Sequence, residues 1–218
     1  MQRTCLRITS AIVTGLGVFA VGDEAAAQTI LKGAYGFTGT GNCLVAPGSS
    51  TSAPMPGITT PNPNAGFNSL LQPIDTQDGT VFGVSASVEG IRTFNGDGTG
   101  TVTGTAVSTT SPNFNPNASS ENFTFQFTYV VNSNGSWTSD MVPGTYKGTF
   151  VTGPRSASHQ TQTIDKQPTI TGQIAVNGLT LTAAPHTPSV EIHTYSNGDV
   201  WPMICHRSRV FIKLSPAP

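Results

Sequence analysis

Residues 204–214, ICHRSRVFIKL, concentrate the chemistry of the chain: a cysteine, a histidine and two arginines fall within five positions. Read as a strand, this segment sends Cys205, Arg207, Arg209, Phe211 and Lys213 to one face and Ile204, His206, Ser208, Val210, Ile212 and Leu214 to the other. The expected arrangement is an apolar inner face with the basic side chains in solvent. The opposite arrangement would turn Arg207 and Arg209 toward an internal cavity, where guanidinium groups hold an anionic group. A single bulge is enough to exchange the faces.

A second stretch, NGDGTGTVTGT at 95–105, has the opening of a calcium loop: Asn95, Asp97 and Thr99 alternate, and Gly100 follows. An EF-hand loop needs a bidentate carboxylate at its twelfth position, which here is Ala106. Its flanks, VEGIRTF and TVTGTAV, read as strands, so the stretch is expected to be a hairpin turn. The histidines, His159, His186, His193 and His206, show neither H-x-H nor H-E-x-x-H spacing, and no metal site or cofactor is expected. No G-K-[ST] phosphate loop and no G-x-S-x-G elbow occurs. Phe123, Phe125, Phe127 and Tyr129 form an aromatic row at period two. Such a row fills a core or, in a barrel of about eight strands, faces one small apolar ligand.

The elements that must position these side chains are strands. Asp97-Gly98, Asn134-Gly135, Asn177-Gly178 and Asn197-Gly198 each separate alternating runs, as hairpin turns do. Thr101, Thr103 and Thr105 oppose Val102, Gly104 and Ala106; Tyr35 and Phe37 share a face with Gly39, Gly41 and Cys43. Helical period is absent apart from a turn or two around Phe67 to Leu71. Residues 44–78 form a long Pro/Ser/Asn-rich connection, with shorter irregular excursions at Ser111 to Glu121 and at GPRSASHQ. These runs predict an all-β fold, a single antiparallel barrel of about eight to ten strands, with a β-sandwich as the alternative.

Composition agrees. The chain has 24 glycines and 16 prolines, and charged residues are 10% with a formal net charge of −1. That weak field lacks the basic bias of nucleic-acid binders. Residues 1–27 have the parts of a secretory signal peptide: Arg3 and Arg7, an apolar run from Ile8 to Val21, and Ala25-Ala26-Ala27 before Gln28. No later apolar run is long enough for a transmembrane helix. The expected protein is thus residues 28–218, periplasmic or extracellular. Export leaves two cysteines, and an oxidising compartment favours a Cys43–Cys205 disulfide. In a barrel that bond would join the first strand to the last. Asn117, Asn122 and Asn134 lie in glycosylation sequons, discounted because the signal has a bacterial character.

LKGAYGFTGTGNCLV, GIRTFNGDGTGTVTGT and TYSNGDVWPMICHRSRVFIKL together resemble uncharacterised secreted proteins of Gram-negative bacteria. In strand and turn rhythm the chain is also similar to small antiparallel barrels of the allene-oxide-cyclase or dirigent type. The resemblance implies a barrel and transfers no catalytic residue. The expected function is binding of a small, partly apolar ligand near Phe123, Phe125, Phe127 and Tyr129, with His206 beside it. The competing expectations are a cyclase- or isomerase-type enzyme built around His206 with Arg92 or Glu89, an outer-membrane barrel, and a surface structural protein.

Overall fold

Strict two-residue alternation over a dozen or more positions gives the longest strands. A computed structural model of the protein describes residues 31–46, 66–74, 81–111, 117–165 and 167–214. Residues 1–27, the expected signal peptide, and most of the 44–78 connection lie outside these residues. Five long strands build the main wall: β1 (Lys32–Val45), β4 (Phe82–Asn95), β5 (Thr99–Thr110), β6 (Ala118–Val131) and β13 (Val200–Lys213). The shorter ones are β7 (Ser136–Met141), β8 (Lys147–Thr152), β9 (Thr161–Ile164), β10 (Ile170–Ile174), β11 (Thr180–Pro185) and β12 (Val190–Tyr195). A separate two-stranded piece, β2 (Gly66–Phe67) with β3 (Pro73–Ile74), lies inside the proline-rich connection, where no strand was expected.

The eleven-stranded antiparallel sheet closes on itself. β13 pairs with β1, and β1, β4, β5 and β6 follow in order. The gap between β6 and β13 is bridged twice. At one end β7, β10 and β11 close a ring of eight strands; at the other β8, β9 and β12 close it through Phe150, Gln162 and His193. The wall opposite β1 therefore has two tiers, and each tier encloses its own half of the interior.

The first tier encloses an aromatic core. Trp137 and Tyr35 are fully buried, and Phe94 meets Phe127, Tyr129 and Trp137 edge to face at centroid distances of 5.0–5.8 Å. Tyr129 donates to the Leu31 carbonyl at 2.8 Å, so its hydroxyl is satisfied. The outward positions of β5 and β6 are mostly polar, with Thr101, Thr103 and Thr105 on β5 and Asn122, Thr124, Gln126 and Thr128 on β6, whereas β13 turns Val210 and Ile212 outward.

The four anticipated turns all form. The turn glycines 98, 135, 178 and 198 take positive φ, while Asp97, Asn134, Asn177 and Asn197 do not. Each of these acidic or amide side chains instead accepts a hydrogen bond from the amide two residues on. The Asp97 carboxylate is occupied by the Thr99 amide and hydroxyl, which hold its pKa below the usual carboxylate range. Asn95–Thr99 is thus a self-satisfied hairpin. Two expectations are corrected. Phe67 to Leu71 forms an Asn68-centred turn, its Oδ1 accepting from the Leu70 and Gln72 amides, and not a helix. Ala118 to Glu121 belongs to β6, because its residues pair with β5 and β8.

Cys43 and Cys205 are directly opposed across β1 and β13, with Cα atoms 4.1 Å apart, and form the disulfide. Both face inward. That fixes the parity of β13 and corrects the expected face: Cys205, Arg207, Arg209 and Phe211 point inside, and Ile204, His206, Ser208, Val210 and Ile212 point outside.

Candidate functional site

The second tier encloses a cavity of about 690 Å³ that opens at its end of the barrel. Its apolar surface comes from Val84, Ala86, Ala106, Phe123, Phe125 and Phe150. Tyr146 lies parallel to Phe123 and Phe125, with ring centroids 5.8 and 6.0 Å away. The size falls within the range of small-molecule sites.

Polar groups converge on this surface from strand positions of one parity. Glu121 precedes Phe123 on β6 and is buried. Gln162 donates to its Oε2 at 2.5 Å, and the Tyr146 hydroxyl donates to Oε1 at 3.1 Å. A side chain on Gly148 would collide with this carboxylate, so glycine there is what lets Glu121 reach its partners. Burial pushes the Glu121 pKa up to about 7, against the opposing effect of the hydrogen bonds from Gln162 and Tyr146. Burial likewise raises the Tyr146 phenol well above its ordinary range, with Glu121 adding to the effect.

Glu191 and His193 enter from β12. Glu191 is fully buried, 2.6 Å from an Arg207 nitrogen and 3.6 Å from His193 Nε2. Burial favours its neutral form, but Arg207 and then His193 outweigh burial and hold the carboxylate below its usual range. Arg207 and Arg209 lie across Gly41 and Gly39 of β1, where the added Cβ would meet the arginine stems at 3.3 and 2.7 Å. Arg209 has no ion pair among the described residues, and its Nε has no hydrogen-bond partner there. Burial, then repulsion from Arg207, lowers its pKa to about 10. Beneath the cavity floor Arg92 is buried with its guanidinium 3.6 Å above the Phe127 ring, and it donates to Ser139 Oγ. Burial and Arg209 lower its pKa well below the usual value.

At the mouth, the 153–160 loop brings Arg155 over Tyr195 at 3.8 Å and Trp201 at 4.4 Å, with Asp199 3.6 Å away. Cys43, Cys205 and Glu191 place potential metal donors within 4.8 Å of one another. The sulfurs are bonded to each other, so this grouping offers no thiolate.

Of the residues singled out from sequence, Phe123 and Phe125 line the cavity, whereas Phe127 and Tyr129 belong to the packed tier. His206 is exposed on the outer face, as is Glu89, so neither joins Arg92 in an interior cluster. Sequence reading missed Glu121, Tyr146, Gln162, Glu191 and His193. The signal was parity: Glu121 leads the inward Phe row, and Glu191, His193 and Tyr195 alternate along one strand. Neither protein-family models, curated proteins nor solved structures contain a match to this chain.

Proposed function

We propose that the protein binds a small, partly apolar molecule in the open half of its barrel, and that it does so outside the cytoplasm. The observation that carries this reading is the contrast between the tiers. The same sheet encloses a close-packed aromatic core at one end and a cavity of about 690 Å³ at the other. Cavities of that size cost stability through lost contacts. Convergent polar groups on an otherwise apolar lining are the usual composition of a ligand site. Export is supported by the signal-like segment and by the Cys43–Cys205 bond, which persists in oxidising surroundings. The polar outward faces of β5 and β6 weigh against a membrane barrel, which needs an apolar outer band.

Thermal denaturation against a panel of small apolar compounds tests the reading. A genuine ligand raises Tm progressively with concentration, equivalent to about 2.7 kcal/mol at a hundredfold excess over Kd. A panel that leaves Tm unmoved at every concentration contradicts it.

One observation favours a second reading, an isomerase- or cyclase-type enzyme on the same barrel. Glu121, with its pKa near neutrality and Tyr146 beside it, has the properties of a general acid or base. Under that reading Glu121→Gln abolishes conversion of a bound ligand without weakening its binding.

A further inference from the structure

The cavity reading leaves the chemical class of the occupant open, and the charges inside the barrel narrow it. Three arginines, Arg92, Arg207 and Arg209, project into the interior, against two carboxylates, Glu121 and Glu191. Arg155 and Asp199 at the mouth offset each other. Glu191 is committed to Arg207 at 2.6 Å, and Glu121 is held by uncharged Gln162 and Tyr146. Arg92 is enclosed by aromatic rings below the floor. Arg209 is left as the cation that lines the cavity with no carboxylate at ion-pair distance among the described residues, Glu191 acting on it only from farther away.

A half-buried guanidinium with an unsatisfied nitrogen is costly in a weakly polar interior. The Arg209 stem packs over Gly39, where an added Cβ would collide with the Ser208 carbonyl and meet that stem at 2.7 Å, so the close approach of β1 and β13 holds the side chain in place. Resting on the cavity reading, we infer that the ligand is an amphipathic monoacid: a single carboxylate seated on Arg209, with an apolar body against Val88, Ala106, Phe123 and Phe125. One free guanidinium fits one carboxylate in a two-point contact. A doubly charged phosphate monoester would require a second free cation, and Arg207 is already engaged. The acid restores charge balance that the protein's own side chains leave incomplete.

Two fluorescent dyes of nearly the same shape test this: phenylnaphthylamine, which is neutral, and anilinonaphthalene sulfonate, which adds one anionic group. The wild-type protein is expected to bind the anionic dye at least about tenfold more tightly, the scale of a charge-assisted hydrogen bond. Dodecanoate should displace it, and dodecanol should do so far less well. Arg209→Met should bring the ratio of the two dyes' Kd values close to one. Arg209→Lys should keep most of the preference. Equal binding of the two dyes by the wild type overturns the inference while the cavity reading stands, and that comparison needs no variant to fold. A parallel loss of both dyes in a folded Arg209→Met protein also overturns it. Failure of both dyes to bind the wild type overturns the cavity reading and the inference together.

Discussion

Glu121 should make the protein less stable as the pH rises through the mildly acidic range, and replacing it should remove that loss. The carboxyl is buried, and its pKa is raised from 4.5 to about 7 in the folded chain. The folded state therefore binds the proton more tightly than the unfolded state. Stability from this group is fully present below about pH 4.5, falls as the pH rises toward 7, and is flat beyond. The span corresponds to about 3–4 kcal/mol at most, from 1.36 kcal/mol per unit of pKa. Glu121→Gln keeps the acceptor for Tyr146, though the Gln162 amide must turn over to satisfy the new side chain. The variant should match or fall slightly below the wild type at pH 4.5 and exceed it by about 1–3 kcal/mol at pH 8. Urea unfolding followed by Trp fluorescence across that range measures both curves. Parallel curves, with the wild-type slope retained in Glu121→Gln, would refute the assignment of a buried neutral acid. Glu191 does not obscure the window, because its lowered pKa confines its own effect to pH below 4.5.

Reducing the Cys43–Cys205 bond opens a loop of 162 residues. It should cost about 5 kcal/mol on the chain-entropy account, read as a fall in the urea midpoint with dithiothreitol. Arg207→Met leaves the buried Glu191 with His193 as its remaining partner at 3.6 Å, and should destabilise by about 3 kcal/mol. Adding Glu191→Gln to it should recover much of that loss, and a double-mutant cycle by urea unfolding measures the recovery.

The strands were legible where threonine, glycine or aromatic residues recur at every second position, as along β1, β5 and the Phe123 to Tyr129 part of β6; the start of β6, Ala118 to Glu121, lacks that pattern. The hairpins were legible because each carries Asn-Gly or Asp-Gly between such runs, although the side chain of the Asn or Asp does the work expected of its backbone. The disulfide followed from cysteine count and compartment. The split of one wall into two tiers was not legible, since it depends on which short strand pairs with which half of β6 and β13. That split is why the aromatic row divides, with Phe123 and Phe125 at the cavity and Phe127 and Tyr129 in the core. The face of β13 was legible in principle. Tyr35 and Phe37 share parity with Cys43, and a bond from Cys43 to Cys205 carries that inward parity to Arg207 and Arg209. Treating arginine as a solvent residue outweighed this argument, and His206 was drawn inward with it. The buried Glu121, Glu191 and His193 were hidden for the same reason: composition places charges outside, and only the paired neighbours explain their burial.

If the tier built from β8, β9 and β12 encloses a ligand site, a side chain that fills its cavity must abolish binding. Ala86 projects into the cavity from β4, so Ala86→Trp occupies the space while leaving the core of the other tier untouched. Titration with phenylnaphthylamine should give saturable one-to-one binding to the wild type and none to a folded Ala86→Trp variant. Binding that is unchanged in the variant, or that never saturates in the wild type, would show that the cavity is not a ligand site.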